Sequence, residues 1–358
     1  MTTLADVAKA AGVSTMTVSN VLAGRSSKVS ATTAARVLEA VAATGYVPSG
    51  AARSLSGRRS RIVALVINGH GEVMTSTHDA RYVGELALAL QNRGYFSMLV
   101  TATDLGETVA SLKSWNVDGA ILINTMAMEI DELREAHDVP MLFSDNYSED
   151  PTILTVRADD AAGGRLAAEH LLERGHREAT FIGPVHYSVS VDDERWRGFR
   201  GPFERAGLRA PDAIQVATTN VVSGIALAEQ LVREDRVPAA ALCSADDLAA
   251  GFLIGLTRAG IRVPEDVSLI GYDGFDISRV TAPGLTTIAQ DIGAKAARSV
   301  DSLLAAITGA AEPDRAAPLS VSLVERESVR RVGPALAVPG SGGAPSGTAD
   351  DGPGPAVA

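Results

Sequence analysis

Apolar residues recur at three- and four-residue steps from the first turn of the chain: Leu4, Val7, Ala8 and Ala11, then Val18, Val21 and Leu22. This spacing predicts two short helices, each with one apolar face, joined by a tight turn at Gly12-Val13. Thr3 stands three residues before Asp6 and Ser14 three before Thr17, which places an acceptor side chain where the first N–H groups of each helix lack partners. Gly12 tolerates the left-handed conformation that ends the first helix. A third helix is predicted after Ser30, through Thr33, Ala34, Val37, Leu38 and Val41 to Gly45, and Tyr46-Val47-Pro48 closes it. With Val18, Val21 and Leu22 turned inward, Thr15, Met16, Thr17, Ser19 and Asn20 project outward, as in a helix-turn-helix that presents its second helix to the DNA major groove. An ordinary helical hairpin in a small core is the plainer alternative.

Residues 49–59 form a short, helix-capable segment bracketed by glycines. They precede the apolar strand 62–67 and read as a hinge. Further strand-like runs lie at 96–100, 119–123, 140–143, 179–183, 239–243 and 267–271, with amphipathic stretches between them. That alternation predicts an α/β fold with parallel sheets covered by helices. About 270 residues exceed what one such core usually holds, so two lobes are expected. The resulting division is a DNA-binding head over 1–48, a hinge over 49–61 and a core over 62–330. Residues 331–358 are rich in Gly, Pro, Ala and Ser and are expected to be disordered.

Charge sharpens this division. Residues 1–61 hold eight basic and two acidic side chains, a net +6, and the remainder carries −17. The overall balance of −11 suggests nothing about nucleic acid, yet the asymmetry isolates a basic head that alone suits phosphates.

Common enzyme signatures are missing: no Gly-x-Ser-x-Gly elbow, no Gly-x4-Gly-Lys loop and no His-Glu-x-x-His. His170 and His176 bracket a helix end at Gly175 and are a weak metal pair, while the single cysteine, Cys243, sits in an apolar strand and reads as packing. No enzyme activity, metal or cofactor is expected. No run reaches ~18 consecutive apolar residues, and the N-terminus carries no charged-then-apolar signal segment, so the expected location is cytoplasmic and no membrane partner is foreseen.

Taken in order, the motifs resemble the lac repressor (LacI/GalR) family of bacterial transcription regulators. The head reads Leu-x-Asp-Val-Ala-x-x-Ala-Gly-Val-Ser-x-x-Thr-Val-Ser-x-Val-Leu from Leu4, followed by Val29-Ser30, Gly45-Tyr46-x-Pro48 and Ala52-Arg53-Ser54-Leu55. The core adds Val117-Asp118-Gly119, Asp159-Asp160-Ala161-Ala162-Gly163-Gly164, His170 to Arg177, Ile182-Gly183-Pro184, Val263 to Asp273 and Leu285-Thr286-Thr287-Ile288. The resemblance implies a two-lobed core like the type I periplasmic sugar-binding proteins, with lobes near 62–157 and 158–330 joined by crossover strands. It also implies a homodimeric repressor on a pseudo-palindromic double-stranded operator, its affinity controlled by a small effector, a sugar or other polar metabolite, held between the lobes.

Residue by residue, the resemblance assigns base reading to Thr15, Met16 and Asn20, and backbone contact to Thr3, Leu4, Thr17 and Ser19. Leu55 becomes a minor-groove wedge with Ala52 and Arg53 beside it. Effector contacts fall on Asp145, Arg195, Asp273 and Gln290, although Asp145 and Arg195 also read as residues that satisfy each other or cap helices. Ser76-Thr77-His78-Asp79 stands where the family usually has an Asn-Pro-aromatic-aromatic stretch. Thr219 replaces a stacking aromatic, and Ala245 replaces the Asn before Asp246. Stacking of a sugar is thereby weakened, and a polar or charged ligand stands level with a neutral one. Tyr147, Tyr187 and Trp196 are the other aromatic candidates. The alternative function is a small-molecule binding protein without specific operator recognition.

Overall fold

The computed structural model describes residues 2–22, 29–46, 59–68, 76–124, 130, 133, 138–148, 150–184, 190–310 and 317–334. The hinge candidates Ala52, Arg53 and Leu55, the aromatic Tyr187, and the tail from 335 onward lie outside these residues.

The head is built from α1 (Leu4–Ala11), α2 (Thr15–Leu22) and α3 (Ala31–Thr44). Thr3 and Asp6 form a reciprocal capping box: Asp6 N–H donates to Thr3 Oγ1 at 3.3 Å and Thr3 N–H donates to Asp6 Oδ2 at 2.8 Å. Gly12 takes φ 64°, and Ser14 Oγ accepts from Thr17 N–H at 3.1 Å. Val7, Ala8, Ala11, Val18, Val37 and Ala40 make a six-residue buried core with Leu4, Val21 and Leu22 against it. The three- and four-residue spacing of the sequence is therefore the packing face.

The core begins with β1 (Ile62–Asn68), whose central residues are buried on both faces as a parallel interior strand requires. There follow α4 (Thr77–Asn92), β2 (Phe96–Ala102), α5 (Leu105–Ser114), β3 (Gly119–Ile123), β4 (Met141–Ser144) and β5 (Thr155–Val156). These strands make a parallel sheet in the order β2-β1-β3-β4-β5. Asp118 ties the end of the linker to this sheet by accepting from Ser60 N–H at 2.8 Å and Arg61 N–H at 3.0 Å.

The second lobe comprises α6 (Asp160–Glu173), β6 (Thr180–Gly183), α7 (Val191–Arg205), β7 (Asp212–Gln215), α8 (Val221–Arg233), β8 (Ala240–Cys243), α9 (Asp246–Arg258), β9 (Ser268–Asp273), α10 (Ile277–Val280) and β10 (Thr286–Gln290). After α11 (Ile292–Thr308), β11 (Val321–Val324) completes a six-stranded sheet, β11-β10-β9-β8-β6-β7. Among the described strand pairs only β10–β11 is antiparallel.

One boundary read from the sequence is corrected. α11 lies inside the range 158–330, yet its Ile292, Ala296, Val300 and Leu303 pack with Val63, Leu65, Leu86 and Ile121 of the first lobe. The chain returns to the first lobe to bury this helix and crosses back at 317–320, where Leu319 exchanges backbone hydrogen bonds with 157–159. Helix periodicity names an apolar face but not the sheet that covers it.

Two helix crossings are closer than side chains allow. A Cβ added at Gly164 of α6 would lie 1.9 Å from Arg195 O, and one at Gly198 of α7 2.0 Å from Ala161 O. Gly224 and Gly251 play the same part for α8 and α9, at 2.3 Å from Leu248 O and 2.1 Å from Val221 O. The first crossing sets Arg195 beside Asp160. Gly164→Ala and Gly198→Ala must push the helix backbones apart, so each is expected to lower unfolding free energy by about 1–3 kcal/mol, read as a lower urea midpoint at unchanged m-value.

Candidate functional site

In the head, Thr15 and Met16 are exposed, Met16 to 68 %, and Thr17, Ser19 and Asn20 are half-buried on the same short helix. Met16 therefore belongs to the surface of the head and not to its core. Thr3 is exposed at the start of α1, and Leu4 is half-buried against the head's core.

Between the lobes lies a cavity of about 320 Å³. Lobe one contributes Ser76, His78, Asp79, Asn124 and Asp145, and lobe two contributes Asp192, Arg195, Thr219, Asn220, Ser244 and Asp273. Most of these follow the carboxyl ends of parallel strands, where open α/β sheets hold ligands. Three of them leave ordinary backbone space to do so: Asn124 at φ 61°, Asp145 at φ 55° and Asp273 at φ 111°. Non-glycine residues held there at the ends of β3, β4 and β9 store strain, and such strain collects at ligand sites.

Arg195 is buried, with Nε donating to Asp160 Oδ1 at 2.8 Å and Nη1 to Ser244 O at 2.6 Å. Its guanidinium lies 3.7 Å from the centre of the Tyr272 ring. Burial works against its charge, but the neighbouring carboxylates, Asp160 foremost, outweigh that and hold the proton more firmly than usual. Tyr272 donates to Asp160 Oδ1 at 3.3 Å, and the Tyr147 hydroxyl donates to Asp160 Oδ2 from the first lobe. Asp145 accepts instead from Lys295 Nζ, a buried lysine of α11 that also faces the Tyr82 ring at 4.6 Å. Asp145 and Arg195 thus do not satisfy each other. Their partners, Lys295 and Asp160, come from distant sequence.

Asp273 is buried and accepts from Gln290 Nε2 at 2.8 Å. Gln290 does not line this cavity. It borders a second one, about 400 Å³, that shares Asp273 and is otherwise edged by Arg81, Phe275, Asp291 and Ser320. Gln290 therefore orients Asp273. Asn124 Nδ2 donates to Asp79 Oδ2 at 2.9 Å, and His78 Nδ1 faces Asp79 Oδ1 at 3.2 Å. Thr77 reaches across the cleft and donates to Asp247. Among the described lining residues none is a Phe, Tyr or Trp. Tyr147 is engaged with Asp160 and carries Arg157 over its ring at 4.8 Å, while Trp196 packs in the second lobe under Arg200.

Asp192, Ser244 and Asp79 also line the cavity, although sequence reasoning does not mark them as ligand contacts. Asp192 belongs to an acidic run, Asp192-Asp193-Glu194, at a helix start, which in sequence reads as a response to the helix dipole. Cys243 is buried in β8 and burial raises its thiol pKa, as a packing residue requires. Burial lowers the pKa of His170 to about 4, so it sits neutral in the core near Glu325.

A helix-turn-helix head ahead of two parallel-sheet lobes with a polar cleft defines a ligand-responsive DNA-binding regulator. The profile of bacterial regulatory proteins of the lacI family matches residues 3–49, and that of the periplasmic binding protein-like domain matches residues 168–329. The HTH-type transcriptional repressor PurR of Glaesserella parasuis serovar 5 (strain SH0165) is 32% identical over 317 residues, covering 85% of this chain and 89% of its own. That of Vibrio cholerae serotype O1 (strain M66-2) is 29% identical, over 92% and 98%. Among solved structures, the lac repressor dimer bound to operator and the anti-inducer ONPF superposes with TM-score 0.81 at 29% identity, over 92% of this chain and 99% of that one. A transcriptional regulator CelR–cellobiose complex gives 0.67 at 28%, over 92% and 100%. The chain belongs to the lacI family of bacterial regulatory proteins.

Asp246, buried at the start of α9, accepts from Phe275 N–H at 2.7 Å and Thr287 Oγ1 at 2.6 Å. Burial, then the nearby Asp273, raises its pKa to about 8. Its folded value exceeds the ordinary 3.8, so its contribution to stability is full at low pH and lost as pH rises through about 8. Urea unfolding of the native protein and Asp246→Asn at pH 5, 6.5 and 8 is expected to show the native protein losing ground to the variant at each step upward. A constant difference across the series would count against the raised value.

Proposed function

We propose that this chain is a dimeric transcriptional repressor whose operator affinity is set by a small polar molecule bound between its two lobes. The observation that carries the reading is the strained, polar-lined cavity on strand ends, joined through Asp118 to the base of the linker that leads to a basic head. Lobe closure is then transmitted to the head through the segment where the two chains of a dimer meet, and effector and operator affinities are reciprocally linked.

In this reading Thr15, Met16 and Asn20 face base edges. Asn20 is suited to a bidentate contact with adenine, and Met16 and the Thr15 methyl to thymine methyls. Thr3, Leu4, Thr17 and Ser19 set register on phosphates, and Leu55, with Ala52 and Arg53, wedges the minor groove at the operator centre. Asp145, Arg195, Asp273 and Gln290 serve the effector, the last through Asp273. The chain is read as a regulator rather than an enzyme, acting in the cytoplasm. No described helix is long and apolar enough to cross a membrane.

A second copy accounts for a set of exposed apolar side chains. β2 is an edge strand with Phe96 exposed to 69 % and Leu99 to 49 %, and Leu88 of α4 is also exposed. Lobe two shows Val222 and, at 78 %, Val280. Unprotected apolar edges of this kind invite pairing. Phe96→Glu with Leu99→Glu is expected to convert dimer to monomer by sedimentation while leaving helical content unchanged. An unaltered sedimentation coefficient would remove this face from the interface.

Operator selection from a random DNA pool is expected to return one palindrome whose affinity falls steeply with salt. Asn20→Ala should relax one symmetric position by roughly 1–3 kcal/mol, and Leu55→Ala should weaken binding without changing the consensus. Recovery of sequence-independent binding alone would favour the alternative, a small-molecule binding protein without specific operator recognition.

A further inference from the structure

The charges around the cleft bear on the class of ligand it holds, given that this cavity is the effector site. Asp79, Asp145, Asp192 and Asp273 line the cavity against two basic side chains, His78 and Arg195. Both bases are committed: His78 to Asp79, and Arg195 to Asp160 and the Ser244 carbonyl. Lys295, behind Asp145, is committed to it. An anionic ligand would therefore meet carboxylates without an uncommitted lining cation among the described residues.

Two polar atoms on the cavity wall remain unmatched. Asp192 Oδ1 and Ser244 Oγ are both shielded from solvent, and neither makes a well-formed hydrogen bond among the described residues. Ser244 is exposed to only 1 % and sits at the end of β8 on the cavity wall. Burial raises the pKa of the Asp192 carboxyl to about 6, against the lowering influence of the Arg195 charge and then of a weak hydrogen bond from Ser244. A shielded carboxylate oxygen without a donor is costly unless something supplies one. Asp192 stands close to the Asp273 carboxylate as well as to Arg195 and Asp160, so the donor that best relieves the site carries positive charge. Among the described lining residues no Phe, Tyr or Trp offers a platform for a sugar face.

We propose that Asp192, together with Asp273, receives a protonated nitrogen, and that the effector is an amine-bearing polar molecule such as an amino sugar or amino polyol. This rests on the cavity being the effector site. Ser244 Oγ supplies a neighbouring hydrogen bond. Asp192 thereby determines specificity, separating an amine from the corresponding alcohol.

The test is calorimetric titration of the full-length protein at pH 7.5 with matched sets: glucosamine, N-acetylglucosamine and glucose, the corresponding galactose and mannose sets, and serinol against glycerol. At least one free amine is expected to bind tenfold or more tightly than both its neutral partners. Asp192→Asn and Asp192→Ala should reduce that preference below threefold. Melting of the ligand-free protein gives a readout independent of ligand choice. Asp192→Asn should raise Tm, because it removes a carboxylate lacking a donor, whereas a structural Asp192 would give a lower Tm. The proposal is overturned if a neutral sugar binds as well as its amine, if no amine in the set binds, or if the preference survives in both variants. Operator affinity measured with each ligand separates the two readings. A neutral sugar that alters operator binding would preserve the effector reading and end this one. An amine that binds through Asp192 yet leaves operator binding unchanged would keep Asp192 as an amine receptor but end the effector reading, and with it the claim that the amine is the effector.

Discussion

The buried pair between Arg195 and Asp160 organises the floor of the cleft. It forms because α6 and α7 cross at Gly164 and Gly198, closer than any side chain permits, so that a guanidinium on one helix meets a carboxylate on the other. A buried ion pair of this sort contributes little net stability on its own, but removal of one partner costs about 3–5 kcal/mol by stranding the other. Its geometry is over-determined: Tyr272 packs under the guanidinium, and Tyr147 and Tyr272 both donate to Asp160. Because Tyr147 comes from the first lobe, the pair also holds the lobes in register.

The remaining charges are arranged around that floor. Lys295 neutralises Asp145 within the first lobe, and His78 and Asn124 hold Asp79. In the second lobe, Asp192, Asp246 and Asp273 have raised pKa values, with burial the largest cause in each. The first lobe thus brings satisfied acids to the cavity, and the second brings acids whose ionisation is opposed by burial. Under the proposed function, closing the lobes on a donor-rich ligand would relieve the second set and so give ligand binding differential free energy between open and closed states. Thr77 and Asp247 already meet across the cleft.

Much of the architecture was legible in the chain. Each of the seven apolar runs corresponds to a strand, and the caps at Thr3, Ser14 and Ser30 are where spacing placed them. The strands that the apolar pattern did not reveal, β5, β7, β10 and β11, are two to five residues long, and several mix polar with apolar positions. Length and alternation are the only local signals of a strand, and these segments carry little of either. Of the cleft residues, Asp145, Arg195 and Asp273 line the cavity, but Gln290 reaches it only through Asp273. Asp192 was hidden because an acid near a helix start has an ordinary explanation in the dipole.

The sequence by itself determined the helix-turn-helix head, its basic charge, the alternation of strands and helices, and the family. The first three follow from spacing or composition within a few tens of residues, and the family from a resemblance carried by motifs in order along the chain. Only the tertiary structure decided that α11 belongs to the first lobe, that Lys295 serves Asp145 across 150 residues, and that Asp160 rather than Asp145 is the partner of Arg195. Those outcomes depend on which buried charge finds which counter-charge once the lobes have packed. Desolvation makes that choice decisive, yet it leaves no periodic trace along the chain.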